Sequence, residues 1–377
     1  MTPLSQLNIA IIGRGIAGLT LAARLVDRGV KPVIYGSSHD PENASRCAQG
    51  VLANKGLIFA ESPLFRAKLR SLRQTQIWLD DLERSTGRTI PRAFSGVFEP
   101  YWSAVDFQEI ATRVSRRNFT GCYLTRNLAA WDRSYPPFQA KRPLGVFRYP
   151  LDGWFDVQAT LDALEDKCQR KGAHFRESKV LRLQTQGLGL EIICANELPQ
   201  SFDRVIVAGG SRSLALLETS GLMIPKHFLI GGQTLEVPVE AEAPAIVTQV
   251  RGIASATWVG RKVIIGSSSW KGSSITTEEL EKDRDALLQT TFDRMGWSLF
   301  LRAKESRSRL GTRLRFGDRM PAIGPWPLDP WRSTLWLSTG YYKNGLQLAD
   351  VCAVDLIAMM EGGNPVYPEF SVARLFQ

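Results

Sequence analysis

The chain has 377 residues, 44% of them hydrophobic and ten of them tryptophan, which suits two medium domains or one large α/β domain carrying an insertion. Its 47 basic residues outnumber 37 acidic ones for a formal charge of +10, but the arginines come in ones and twos, which favours a basic-leaning surface over a dedicated nucleic-acid face. No apolar run approaches the roughly 18 residues of a membrane span, the five cysteines form no CxxC pair for zinc or a disulfide framework, and the absence of HExxH and GxSxG argues against hydrolase chemistry. With no leader-like N-terminus, these features predict a soluble cytoplasmic protein with reduced thiols and no metal site.

The first element is the most informative. An apolar run, Ile9-Ala10-Ile11-Ile12, meets three glycines spaced GxGxxG at Gly13, Gly15 and Gly18, and an amphipathic helix follows to Gly29. Gly13 permits a tight turn, Gly15 lets the backbone approach a pyrophosphate, and Gly18 lets helix and strand pack closely. The helix N-terminus, including Ile16 and Ala17, offers N–H groups and a positive dipole to an anion. A second strand, Lys31–Tyr35, comes at the distance a dinucleotide-binding unit requires. The acid that such a unit carries at the end of this strand, for the ribose hydroxyls, is replaced by Gly36. Losing a charged hydrogen bond costs about 1.5–3 kcal/mol. Ser37 and Ser38 are the local substitutes.

Residues 64–85 then read as a long amphipathic helix. Strand-like aromatic pieces follow Gly87 (AFSGVFEPYW, CYLTRN, GVFRYP), and LDGWFDVQATLDALEDKCQRKGAHF supplies a turn, a helix from Asp156 to Lys171 and a return strand. Strands at Val180 and at Leu190–Cys194 precede FDRVIVAGG (202–210), a buried strand running into small residues where backbone approaches a ligand. Further on come strands Gln233–Val237 and Lys262–Ile265, a charged helix Thr277–Met295, the segment GTRLRFGDRMPAIGPWP, a strand Thr334–Ser338, TGYYKNGLQLA and a helix Leu348–Glu361. The three histidines, His39, His174 and His227, fall at strand ends and turns, as surface residues rather than catalysts.

In this order the segments resemble the D-amino acid oxidase family of FAD-dependent oxidoreductases, above all its glycine oxidase and sarcosine oxidase branch. The resemblance covers nearly the whole chain: IAIIGRGIAG, ASRCAQGVL (44–52), DGWFDVQATLDAL (152–164), FDRVIVAGG, GGQTLEVP (231–238), and the pair GTRLRFGDRMPAIG (311–324) and TGYYKNGLQLA (339–349). It implies an α/β fold with a discontinuous Rossmann-type FAD-binding domain (1–86, 150–225 and 306–377) and a β-rich substrate domain (87–149 and 226–305). It also implies that Ala48, Gln49, Gly50 and Leu52 line the isoalloxazine, that Val180 lies at the adenine side, and that Ala208, Gly209 and Gly210 lie against the cofactor. Gly340 and the backbone of Lys343, Asn344, Gly345, Leu346 and Gln347 face the flavin's carbonyl end, where donors stabilise the reduced anion.

In the family an arginine stands five positions before the D-x-x-P-x-[IV]-G turn. Arg313 stands five before Asp318. Its fork suits a substrate carboxylate, with Arg309 and Arg315 as competitors. Tyr341 and Tyr342 shape the pocket or hydrogen-bond the carboxylate, and Trp258 and Trp270 are candidates for its apolar wall. The implied activity is oxidation of a small amino acid or secondary amine by hydride transfer to flavin N5, giving an imine and then an oxo acid, with oxygen or another carrier taking the electrons. Where the glycine oxidase branch carries a tyrosine, about a dozen residues before the GSSS turn, this chain reads GIASAT, which counts against glycine or sarcosine as substrate. Two alternatives stay open: a flavin oxidase acting on a carboxymethylaminomethyl-modified tRNA uridine, which ASRCAQGVL also resembles, and a flavoprotein subunit or maturation partner without turnover of its own.

Overall fold

A computed structural model describes residues 2–40, 42–53, 62–115, 122–126, 142–195, 197–248, 255–295 and 302–377. In chain order, strand β1 (Ile9–Ile12) leads to helix α1 (Ile16–Val26), β2 (Val33–Tyr35), the short α2 (Ala44–Cys47), β3 (Val51–Leu52) and the long α3 (Pro63–Thr86). Next come β4 (Arg92–Ala93), β5 (Val97–Tyr101), α4 (Ala104–Ser115), β6 (Tyr123–Thr125), β7 (Gly145–Tyr149), β8 (Gly153–Phe155) and α5 (Val157–Arg170). A third stretch holds β9 (His174–Arg176), β10 (Val180–Gln186), β11 (Gly189–Cys194), β12 (Gln200–Phe202), β13 (Arg204–Val207) and α6 (Ser213–Thr219). The last comprises β14 (His227–Thr248), β15 (Ser255–Gly266), β16 (Trp270–Lys271), α7 (Thr277–Met295), β17 (Arg307–Phe316), β18 (Ala322–Pro325), β19 (Leu335–Thr339) and α8 (Gly345–Met360).

Six strands form one sheet in the order β18-β19-β13-β1-β2-β9. All neighbours are parallel except β18 and β19. The four residues of β1 are all buried because both faces of this sheet are covered, as a parallel sheet requires. Ile9 and Ile11 join a core with Leu19, Leu79, Leu161 and Leu356 of the helices α1, α3, α5 and α8. Ala10 and Ile12 face the other way, onto Leu190 and Ile192 of the three-stranded sheet β10-β11-β12 and Leu217 of α6. In such a sheet ligands bind beyond the carboxyl ends of the strands. Those of β1 and β13 lie side by side here, with Ala208 N–H donating to the Ile12 carbonyl at 2.8 Å.

The second large sheet is organised by β14, which pairs with β15, with β17 over the register His227↔Phe316 to Glu236↔Arg307, and with β5. Its core of Leu235, Val237, Trp258, Val263 and Ile265 is closed by Leu287 and Leu288 of α7. The expected strands at 233–237 and 262–265 lie within these longer ones. Pairing with β17 ends at Glu236, and β15 alone carries β14 through Pro238 and the following acidic stretch, with register shifts at Pro238/Ala243 and Ala243/Ile246.

Candidate active site

A cavity of about 1040 Å³ opens at the carboxyl ends of β1 and β13 and extends to β17 of the second sheet. Its first wall is the turn after β1. Gly13 has φ 131°, and a Cβ there would collide with the Ala208 carbonyl. A Cβ on Gly18 would collide with the Gly13 carbonyl. Gly18 therefore packs α1 on β1, and it does not line the cavity as Gly13, Gly15, Ile16 and Ala17 do. Ile16 N–H donates to Ser45 Oγ at 3.0 Å, and α1 starts from Gly15 without a side-chain cap. Helix α8 likewise starts from Asn344 without a side-chain cap, and its first residues, Gly345 and Leu346, line the same cavity. Two positive helix ends thus open on one elongated space, which fits a group with a pyrophosphate at one point and electron-rich carbonyls at another.

Val180, Ser37, Ala208, Gly209 and Gly210 line the adenosine end that the family pattern assigns. Gly36 has φ 144°, and a Cβ on it would stand 3.2 Å from both the N and Cβ of Arg14. The carboxylate missing here is present one strand over. Pairing of Tyr35 with Arg176 places Gly36 beside Glu177, and Gly36 N–H donates to the Arg176 carbonyl at 3.0 Å. Glu177 lines the cavity, pairs with Arg14 and accepts from Ser38 Oγ at 3.3 Å. Desolvation pushes the Glu177 carboxyl up, but Arg14, Ser37 and Ser38 outweigh it and hold it below its ordinary value. Arg14 also pairs with Glu165 at 2.9 Å and lies 4.5 Å over the Phe175 ring. Sequence reading missed Arg14 and Glu177, because strand order is not visible in the sequence. Ser38 contacts Glu177 and does not itself line the cavity.

In the middle stretch, Ala48, Gln49 and Gly50 line the cavity, while Leu52 is buried in the core. The Gln49 side chain is committed elsewhere: Nε2 donates to the carbonyls of Ser255 (3.0 Å) and Ile264 (3.2 Å), and Oε1 accepts from Ser255 Oγ at 2.7 Å. It ties this turn to β15. On the other side β17 presses against α2. Thr312 N–H donates to the Glu42 carbonyl at 3.3 Å, and a Cβ on Gly311 would stand 2.8 Å from Ala44 Cα and Cys47 Cβ.

Arg313 lies at the far end of the cavity. Nη1 donates to Ser269 Oγ at 3.3 Å and Nη2 to Ser267 Oγ at 3.4 Å. Among the described residues no carboxylate pairs with it. Burial lowers its pKa, with Cys47 and Tyr342 only partly offsetting this. The two glycines of GGQTLEVP make room for it and for a neighbour: a Cβ on Gly232 would stand 2.5 Å from Arg313 Nη2 and 2.8 Å from the Ser268 carbonyl, and one on Gly231 would collide with the Trp270 indole. The competitors are engaged elsewhere and do not line the cavity. Arg309 pairs with Glu236, and Arg315 stacks 4.5 Å over Phe228.

Gly340, Tyr341, Tyr342 and Lys343 complete this end. Tyr341 shapes this end of the cavity as a buried residue, its hydroxyl bonded to Ser338 Oγ at 2.8 Å and its pKa raised by burial well above the ordinary value. Tyr342 has φ 53° and donates its N–H to the Leu314 carbonyl at 3.1 Å. Asn344 and Gln347 stand behind the wall: Gln347 Nε2 donates to the Lys68 carbonyl at 3.3 Å, and Asn344 accepts from the Gln347 N–H at 3.1 Å. Trp258 belongs to the core of the second sheet, and neither it nor Trp270 lines the cavity. The GIASAT stretch, where the branch carries a tyrosine, begins in residues 249–254, which lie outside the described residues. Among the described residues no helix is long and apolar enough to cross a membrane, and no three His, Cys, Asp or Glu side chains group as metal ligands.

Comparison with known proteins agrees with this arrangement. The chain is 22% identical over 382 residues to glycine oxidase of Geobacillus kaustophilus, spanning 97% of each. It is also 22% identical over 379 residues to the bifunctional protein ThiO/ThiG of Trichormus variabilis, covering 97% of this chain but only 55% of that longer protein. The crystal structure of the Geobacillus kaustophilus glycine oxidase superposes with a TM-score of 0.83 at 18% identity, over 98% of both chains, which establishes a shared fold. The family model DAO, FAD dependent oxidoreductase, matches residues 8–359, and the chain therefore belongs to this family of FAD-dependent oxidoreductases.

Proposed function

We propose that the protein oxidises a small amino acid or secondary amine held by its carboxylate. The observation that carries this reading is Arg313, a largely buried guanidinium on the cavity wall with no acidic partner among the described residues. A planar fork of this kind takes a carboxylate bidentately. Ser267 and Ser269 hold the fork in place, and Tyr342 flanks it. FAD, held along the glycine turn after β1 and the first residues of α8, would supply the two-electron acceptor for a hydride from the substrate's α-carbon, with oxygen as the proposed final acceptor. The acidic residues lining the cavity are already paired, Asp40 and Glu42 with Arg212 and Glu177 with Arg14. Burial keeps Cys47 a thiol. The substrate amine therefore enters neutral, its own lone pair assists loss of the hydride, and positioning with exclusion of water supplies the catalysis. Water then hydrolyses the imine to the oxo acid, releasing ammonia or, from a secondary amine, a primary amine.

The test is anaerobic bleaching of the bound flavin against a panel of amino acids and amines. Arg313→Ala is expected to keep its flavin and lose bleaching. A colourless protein that cannot be reconstituted with FAD, or undiminished bleaching of the variant, refutes the reading. The tRNA alternative predicts tRNA retention that weakens steeply with salt, alongside indifference to free amino acids.

A further inference from the structure

We infer that Gln49 is a positioning residue, whose side-chain amide sets the distance between the carboxylate fork of Arg313 and the turn 48–50 that the family pattern assigns to the flavin ring. This rests on the amine-oxidation reading above and adds to it the part that holds anchor and ring in one frame. The amide is fully used. Both of its hydrogens go to main-chain carbonyls of β15, those of Ser255 at 3.0 Å and Ile264 at 3.2 Å, and its oxygen accepts from Ser255 Oγ at 2.7 Å. Held to Ser255 at two points, it cannot rotate without losing a bond, and it has no hydrogen left for a substrate.

Ser255 and Ile264 are nine positions apart, which in a straight strand would separate them by about 30 Å. Here one nitrogen bonds both, so β15 doubles back, with Gly260 at φ 55° between its two arms. Gln49 closes the open end of that bend. The arm it holds through Ile264 ends at Gly266 and continues into Ser267 and Ser269, the hydroxyls that receive Arg313 at 3.4 and 3.3 Å. Ser268 pins the same loop to β14, its N–H donating to the Gln233 carbonyl at 3.2 Å and its Oγ accepting from the Gln233 N–H at 3.1 Å. On the other side, β8 fixes the turn that carries Gln49. Trp154 Nε1 donates to the Gln49 carbonyl at 2.7 Å and Phe155 N–H to the Gly50 carbonyl at 3.2 Å, while a Cβ on Gly50 would collide with the Phe155 carbonyl. One side chain thus joins the flavin-side turn to the strand that ends at the fork. A misplacement of about 1 Å costs on the order of 100-fold in rate, whereas the fork's bonds to a carboxylate do not depend on where the ring lies.

Butyrate, an unreactive carboxylate, and a reducing amine separate positioning from binding. The holoenzyme is titrated with butyrate while the visible absorption of the flavin is followed, and is then reduced anaerobically at saturating amine. In Gln49→Leu the butyrate dissociation constant is expected to stay within about threefold of wild type, while the amplitude of the spectral change falls by about half and the reduction rate by roughly tenfold or more. Gln49→Glu keeps the shape but turns a carboxylate without hydrogens toward two carbonyls, and is expected to behave as Gln49→Leu does. Ser255→Ala keeps both carbonyl bonds and is expected to slow reduction by about threefold; should Gln49→Leu fail to fold, Ser255→Ala carries the decision. Amplitude and reduction rate equal to wild type overturn the proposal, and so does a loss confined to butyrate affinity, which makes Gln49 a binding residue. A wild-type flavin that responds to butyrate but is reduced by no amine removes the amine-oxidation reading instead, and the amplitude then decides the role of Gln49. A flavin indifferent to butyrate removes both.

Discussion

Placing alanine at Gly232 perturbs the carboxylate fork without touching its charge. The added Cβ would stand 2.5 Å from Arg313 Nη2 and 2.8 Å from the Ser268 carbonyl, where ordinary contact begins at 3.4 Å. The carbonyl is backbone and yields little, so the guanidinium gives way by about 1 Å, enough to break bonds to Ser267 and Ser269 that are already 3.3–3.4 Å long. A fork displaced by this much keeps one of its two charge-assisted hydrogen bonds to a carboxylate. The loss is about 1.5–3 kcal/mol, or roughly 10- to 150-fold in affinity. Butyrate titration of the flavin spectrum measures it, with retained flavin absorbance and melting temperature as controls for folding. Gly231→Ala is the internal comparison, because its Cβ meets the Trp270 indole and not Arg313. Butyrate affinity within twofold of wild type in Gly232→Ala would falsify the role given to Arg313.

Glu177→Gln is expected to raise the FAD dissociation constant, read from the fluorescence of released flavin. In the wild type Glu177 lies below its ordinary 4.5, so its carboxylate is present above that pH and is lost only as pH falls through the lower folded value; the gap in FAD affinity between wild type and variant is therefore expected to close only below pH 4.5. Lys68, buried on α3, is pushed by desolvation down to about 8 from its ordinary 10.5, with Asp152 only partly opposing. Between those values the unfolded chain holds the proton that the folded chain has released, so folding stability rises with pH across the window, by ~3 kcal/mol. Lys68→Met is expected to abolish that rise in chemical denaturation between pH 8 and 10.5, and an unchanged slope argues against the assigned burial. Tyr341→Phe removes the bond to Ser338 and is expected to cost about 1–2 kcal/mol of stability, with carboxylate affinity preserved; a tenfold loss of affinity shows instead that the hydroxyl reaches the substrate.

Much of the cofactor half is legible in the chain because local chemistry dictates it. Gly13 and Gly18 are glycine because each faces a carbonyl at a distance no Cβ tolerates, and the four buried residues of β1 read as a strand covered on both sides. What stays hidden depends on contacts between distant segments. The replacement for the missing acid at Gly36 sits 141 positions later, at Glu177, and becomes visible only when β9 is seen to pair with β2. The length of β14 is similarly non-local, since β17 pairs its first half and β15 carries it across its prolines and acidic stretch. Arg309, Arg313 and Arg315 are chemically alike in sequence; Glu236 and Phe228, on the neighbouring strand, are what set Arg313 apart. Neighbouring tyrosines divide by rotation of the chain, Tyr341 into the core and Tyr342 to the rim.

The strand that presents Arg313 is also the one that leans on α2, through Gly311 against Ala44 and Cys47 and through Thr312 against Glu42. α2 carries Ser45, which accepts from the first N–H of α1, just beyond the glycine turn that follows β1. A shift of β17 is therefore felt at both ends of the cavity. An anion that steadies Arg313 is expected to steady the cofactor's bed as well, and thermodynamic reciprocity makes the effect mutual: FAD release is expected to slow in the presence of a bound carboxylate, and carboxylate affinity to fall in the protein stripped of FAD.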